Sequence, residues 1–322
     1  MQITTTNKIV RYYRAHQSRS MMNISLALGA GGAKGNSHIG VLRRLELHGF
    51  RIRAIAGTSF GGLVAIFYAF GFSPSEIEDM FSKVDQTNLY AHGPNRRSSL
   101  LGLLGASSWF ESIFGDKTFA DLKIPCAVTA VDLKSGNEVI LTEGCLVDAI
   151  LATIAIPGIF PPRHVNGWEL VDGGVLDPVP VSVARSLAPD LPVVAVSLNE
   201  PLGRPARTWT IPLPKNLPRV VIEVLTRLTY AQAADVYMRS QDIVDRALSE
   251  YRLAMDNPEV IIRPKVQHIE MLDVVDVHEV AKLGEEATEA ALPELRSKLK
   301  WHRRLGRRLF GGKRNEPRFS QY

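Results

Sequence analysis

Ile24-Ser-Leu-Ala-Leu-Gly29 and Ile52-Arg-Ala-Ile-Ala-Gly57 decide how this chain folds. Each is a short apolar run ending in glycine, the mark of a buried strand that stops at a turn. The first continues as Ala30-Gly-Gly-Ala-Lys-Gly35 and the second as Thr58-Ser-Phe-Gly61. Behind the first turn, Ile39, Leu42 and Leu45 recur at helical spacing within 36–48, with Arg43, Arg44 and Glu46 between them. Behind the second, 60–70 reads as an apolar helix. Strand, glycine turn and helix, twice over, is the order of a parallel α/β sheet. Right-handed crossovers place both glycine turns at the same end of that sheet.

Outward from this core the pattern holds, with one irregular stretch. Ser73 or Ser75 caps a helix, and 93–108, rich in Gly, Ser and Arg around Leu100, Leu101, Leu103 and Leu104, reads as a loop or lid, or as a local packing patch. Strands are expected at 124–131, 138–141, 168–171 and 192–198, and helices at 146–156 and 178–187. Five prolines between 201 and 218 mark a linker or a long ordered loop. Helical patterns follow at 219–253 and 276–298, with a strand expected at 260–263. No internal repeat is visible.

At 322 residues, 45% hydrophobic and 22% charged, the chain can bury a sizeable core. The net charge of +5 is uneven. Residues 1–22 hold Lys8, Arg11, Arg14 and Arg19 with no acid, and 301–322 hold seven basic residues against Glu316. The body between carries 27 basic and 32 acidic residues, so it is acidic and lacks the basic stripe of a nucleic-acid enzyme. The expected organisation is a basic extension (1–22), one folded domain (23–300, its motifs in 24–200 and a helical part in 219–298) and a basic tail (301–322). The two ends read as solvated tails or as contacts for an anionic membrane surface. No export signal and no run of about 18 apolar residues appears. The expected location is cytoplasmic, with peripheral membrane contact through the tails. Cys126 and Cys145, in apolar settings, read as core thiols in a reducing compartment.

Gly57-Thr-Ser-Phe-Gly61 matches Gly-x-Ser-x-Gly, a pattern that about one chain in ten of this length carries by chance at average composition. Its place between a strand and a helix is what gives it weight. A serine there stands exposed on a sharp turn at a helix N-terminus, where developing negative charge is favoured. The first glycine loop fits a dinucleotide site poorly, because Lys34 stands where a third glycine belongs and the second strand ends without an acid. A phosphate loop of Gly-x-x-x-x-Gly-Lys-Ser/Thr is absent. The backbone N–H groups of Gly31 and Gly32 suit an oxyanion beside Ser59 instead.

Ser59 needs a base. His92, His164, His268, His278 and His302 follow it, none in a distinctive setting. Asp172, in Val-Asp-Gly-Gly-Val, is either a desolvated carboxylate of raised basicity or a turn residue capping local N–H groups.

These segments resemble the patatin-like phospholipase family. That family carries Gly-Gly-Gly-x-Arg/Lys-Gly, Gly-x-Ser-x-Gly and Asp-Gly-Gly/Ala, matched here by 30–35, 57–61 and 172–174. Residues 152–162 and Asp177-Pro-Val-Pro-Val181 are similar as well. The resemblance implies a three-layer α/β/α sandwich with a mainly parallel central sheet. It also implies a Ser59–Asp172 dyad cleaving acyl esters of phospholipids or lysophospholipids, without metal or cofactor. Gly31 and Gly32 would hold the oxyanion, and Lys34, Gly35, Gly57, Gly61, Gly173 and Gly174 would support the motifs. Ala30 replaces the first glycine of the triple, and Lys34 stands where arginine is commoner. A catalytically silent membrane scaffold, a Rossmann-type nucleotide binder and a Ser-Asp-His triad are the competing expectations.

Overall fold

The computed structural model describes residues 21–86, 101–201, 203 and 229–299. Strand β1 (Met22–Leu28) leads through a short 3-10 turn (Gly32–Asn36) into α1 (Ser37–Leu47). Strand β2 (Phe50–Thr58) leads into α2 (Phe60–Phe70), and α3 (Pro74–Lys83) follows, capped by Ser73 in a reciprocal bond with Glu76. Next come α4 (Leu104–Phe114), β3 (Cys126–Asp132), β4 (Glu138–Leu141) and α5 (Leu146–Thr153). Then β5 (Arg163–Val165), β6 (Trp168–Asp172), α6 (Val181–Leu187) and β7 (Val193–Val196) complete the centre. Finally α7 (Thr229–Asp256), β8 (Val260–Ile262) and α8 (Val277–Lys298) close the described chain.

The sheet order is β5-β6-β3-β2-β1-β7-β8, with β4 on β3. The pairs among β3, β2, β1, β7 and β8 are parallel, and the pairs β3–β4, β3–β6 and β5–β6 are antiparallel. The sheet is therefore mixed but mainly parallel, as the order of strands and glycine turns implies. Its two faces differ in residue size. Ile24, Leu26, Leu28, Val128, Val194 and Val196 turn to one side, against α1, α2, α5 and α8. Ala27, Ala56, Ala127 and Ala195 turn to the other, where α6 and the end of α7 lie. The small side chains let α6 approach so closely that the Ser25 hydroxyl donates to the Ala184 carbonyl at 2.6 Å. Helices on both faces give the three layers.

One detail of register positions the site. Strand β4 covers one edge of β3 from Val128 to Val131, so β2 and β6 must share the opposite edge, end to end. Thr129 pairs with Thr58 of β2, and the next residue, Ala130, pairs with Asp172 of β6. The sheet itself thus delivers Asp172 beside the end of β2.

Several expected boundaries move. Strand β1 begins at Met22, inside the stretch assigned to the basic extension. Helix α4 begins within the expected loop 93–108: Ala106, Phe110 and Phe114 fall on one buried face, a periodicity masked by the Gly-Ala-Ser-Ser run. The helix expected from 178 starts at Val181, because Pro178 and Pro180 precede it and Pro180 occupies the cap. The helix expected to reach 156 stops at Thr153. Residues 93–100, most of the proline-rich stretch, 219–228 and nearly all of both basic ends lie outside the described residues. Among the described residues, no helix is long and apolar enough to cross a membrane.

Candidate active site

Ser59 stands between the end of β2 and the start of α2 with φ 56° and ψ −128°. A non-glycine residue in that region costs on the order of 1–3 kcal/mol. Hydrogen bonds brace the turn. The Ser59 N–H donates to Thr153 Oγ1 at 2.9 Å, and the Thr153 hydroxyl donates to the Thr129 carbonyl at 2.7 Å. Thr58 Oγ1 donates to the Asp177 carbonyl at 2.8 Å and lies 2.7 Å from Thr129 Oγ1. Gly57 pairs with Leu28 of β1 and Val128 of β3. Gly61 sits against the Leu28 and Gly29 carbonyls, where any side chain would collide with backbone, so α2 starts hard against the first glycine loop.

Asp172 is 5% exposed, and its Oδ1 accepts the Gly174 N–H at 2.8 Å within the turn opened by Gly173. The Ser59 side chain lies close enough to act on its carboxylate. Burial pushes its pKa up to about 7, while the Ser59 side chain and the Gly174 N–H oppose that rise. The charge of Asp245 raises it further. Asp245 is itself lifted to about 6, by burial first and then by Asp242, against the opposing charge of Lys34. Asp245 lies on α7, beyond the motifs, and no sequence signal marks it. Thr153 lies at the edge of the family-like segment 152–162, which hinted at a role without naming it.

In the glycine loop, Ala30 N–H donates to the Pro178 carbonyl and Ala33 N–H to the Met271 carbonyl, both at 2.8 Å. The N–H groups of Gly31 and Gly32, between them, meet no acceptor among the described residues. Gly32 has φ 56°. Lys34 and Gly35 are buried in the same turn. His38, fully buried beneath, bonds the Gly29 carbonyl through Nε2 at 2.8 Å, and burial lowers its pKa to about 4, so the imidazole is neutral.

The expected histidine candidates are elsewhere. His164 and His268 are exposed, and His278 bonds Glu78 at 2.8 Å. Among the described residues, none hydrogen-bonds Ser59 or Asp172. His92 and His302 lie outside the described residues. Cys126 is buried in β3, where burial raises its thiol pKa, and Cys145 is half-buried. Among the described residues, no group of three or more His, Cys, Asp or Glu is placed to hold a metal ion.

A cavity of about 840 Å³, counting the space at its open mouth, extends from Ser59. Phe60, Leu63, Phe81, Trp109, Phe110 and Met271 are among its apolar walls. Leu103 lines it, while Leu104 is 52% exposed, so the leucine cluster is divided between the cavity wall and the surface. Helix α4 thus forms a wall of the cavity where a loop or lid was expected.

The model for patatin-like phospholipases matches residues 26–185. An uncharacterized NTE family protein of Mycobacterium bovis is 36% identical over 218 residues, 67% of this chain and 58% of that protein. A lysophospholipase NTE1 of Eremothecium gossypii is 31% identical over 172 residues, covering 49% of this chain and 11% of its own. Human patatin-like phospholipase domain-containing protein 6 is 30% identical over 171 residues, 51% of this chain and 12% of that one. The chain therefore spans little more than half of the first relative and a small part of the others. In three dimensions, VipD from Legionella pneumophila superposes with a TM-score of 0.54 over 87% of this chain and 67% of its own, at 12% identity, a likeness of fold.

Proposed function

The chain belongs to the patatin-like phospholipase family through residues 26–185, and on that premise we propose that it cleaves fatty-acyl esters of phospholipids or lysophospholipids. The observation that carries this reading is Ser59 on a strained elbow with its side chain beside the buried Asp172, at the mouth of an apolar cavity. Asp172 takes the hydroxyl proton as Ser59 Oγ attacks the ester carbonyl. Gly31 and Gly32 donate their free N–H groups to the oxyanion. The alcohol leaves with the proton from Asp172, and the acyl group stays on Ser59. Water, deprotonated by Asp172, then attacks the acyl-enzyme, and the fatty acid departs as Ser59 regains its proton. The name of the fungal relative supports the lysophospholipid among the two substrates.

The test is turnover of p-nitrophenyl esters by wild type, Ser59→Ala and Asp172→Asn, each shown to be folded by circular dichroism. Activity confined to the wild type supports the dyad. Activity surviving in Asp172→Asn assigns the base elsewhere and overturns it.

A further inference from the structure

We propose that α7 docks against α7 of a second copy of this chain, antiparallel and about a two-fold axis, through a seam running from Tyr237 to Met255. This pairing stands whether or not the chain is a hydrolase. Val236, Tyr237, Ile243, Val244, Tyr251 and Met255 are each between 51% and 73% exposed. They are half of the large hydrophobic side chains that stand exposed among the described residues, and all six lie on this one helix. On its other side Arg246, Ser249 and Leu253 are buried against the body of the protein. The six leave on the order of 700 Å² open, more than the largest apolar patch of a typical monomer and close to the ~800 Å² that each partner gives to a stable interface.

The spacing along the helix says what covers this face. Tyr237, Gln241, Val244, Leu248, Tyr251 and Met255 follow one another at intervals of 4, 3, 4, 3 and 4 residues. That is the spacing of a coiled-coil seam, in which knobs of one helix enter holes of another. A helix that lies on an anionic lipid surface carries Lys and Arg on its open polar face instead. Here no charged residue described between 236 and 255 is exposed. Asp242 and Glu250 pair with Arg246 and Arg263 at 2.5 and 2.8 Å, and Arg252 donates to the Leu176 carbonyl at 3.0 Å. The intervals also read the same in both directions, so the seam is complementary to itself when reversed. An antiparallel copy sets Tyr237 of one chain against Met255 of the other, Gln241 against Tyr251, and Val244 against Leu248, and each pair recurs across the axis. Gln241, the one polar side chain of the seam, thereby meets a tyrosine hydroxyl, and the Met255 thioether meets the ring of Tyr237. Because α7 is already held by the body of the protein, pairing orders little further chain.

Sedimentation equilibrium of the full chain, without detergent, should give twice the 35.5 kDa mass of one copy. Val244→Glu should stay folded, because that side chain is exposed, and should raise the dimer Kd by about a hundredfold or more, because the two-fold buries the new charge twice. Tyr251→Glu should act in the same way and serves if the first variant fails to fold. A short bismaleimide reads the register. Tyr237→Cys mixed with Met255→Cys should cross-link above the wild-type background, whereas either variant alone should not, its two copies of the new thiol lying about 27 Å apart. Cross-linking of Tyr237→Cys with itself would mean a parallel pair and overturn the arrangement. A dimer that both glutamate variants leave intact overturns it as well, since the interface then lies elsewhere. So does a wild type that stays monomeric up to about 100 μM, too weak for a specific interface of this size. In that event, loss of binding to phosphatidylglycerol vesicles in Val244→Glu would assign the face to lipid. Resistance of Met255 to peroxide in the monomer would assign it to a segment of the same chain, such as 204–228.

Discussion

Asp172 and Asp177 flank one short turn, Gly173–Val175, and burial lifts the pKa of each to about 7. Their surroundings are otherwise opposite. Asp172 accepts the Gly174 N–H and has the Ser59 side chain beside it. Asp177 faces two more acids, Glu138 and Asp256, with Arg252 as the opposing charge. Its backbone, rather than its carboxylate, serves the elbow, through the bond from Thr58 to its carbonyl. Burial makes a carboxylate basic wherever it occurs; what lies within its reach decides whether that basicity is used.

The largest expected difference between the two is in rate. Asp172→Asn should lower kcat by about 10²–10⁴-fold, the usual contribution of a general base. Asp177→Asn keeps the carbonyl that holds Thr58, so its kcat should stay within about threefold of wild type. Equal losses in both variants would mean that the turn matters as a scaffold and that Asp172 is not the base. The pH profile sharpens the point. A base of the kind proposed for Asp172 works only when ionised, so kcat/KM should rise with pH and level off above about 7. A profile already flat from about pH 5 would assign the proton transfer to another group.

Stability gives the next effect, with a defined sign. The folded pKa of Asp177 lies above that of the unfolded chain, so the folded state binds the extra proton. Its contribution to stability is therefore complete below about pH 4 and is lost as pH rises through about 7. Asparagine removes that titration. Asp177→Asn should be more stable than wild type at about pH 8, by on the order of 1–3 kcal/mol, with the advantage gone near pH 4. Urea midpoints at the two pH values measure it. A variant less stable than wild type at both would show that the ionised acid is well compensated by Arg252.

How much of this was legible in the sequence follows from the range of the interactions. The strands β1 and β2, their glycine turns and helix α2 were readable because each is fixed by neighbours in the chain. Ser59 and Asp172 stood out through the glycines around them. Helix α4 was missed because Gly105, Ser107 and Ser108, off its buried face, mask the spacing of Ala106, Phe110 and Phe114, and it forms by packing against the core rather than by propensity. Thr153 and Asp245 were missed for a different reason. Each acts through a partner distant in sequence, brought near only once the chain has folded. No local pattern encodes such a neighbour.

The smallest effect isolates the backbone of the elbow from its chemistry. Ser59→Ala and Ser59→Gly both remove the same hydroxyl from beside Asp172, so neither should turn over ester. They differ in how well they tolerate φ 56° with ψ −128°. Alanine keeps the strain that serine bears there, whereas glycine adopts the conformation freely. Against this, glycine gives the unfolded chain more freedom, worth about 0.4–1 kcal/mol in the opposite direction. With strain of on the order of 1–3 kcal/mol, the balance should leave Ser59→Gly the more stable by about 1 kcal/mol. Chemical denaturation of the two variants side by side reads the difference directly. If alanine proves equal or better, the elbow stores no strain. The turn would then be held by Thr153 and the close contact at Gly61 at no conformational cost to Ser59.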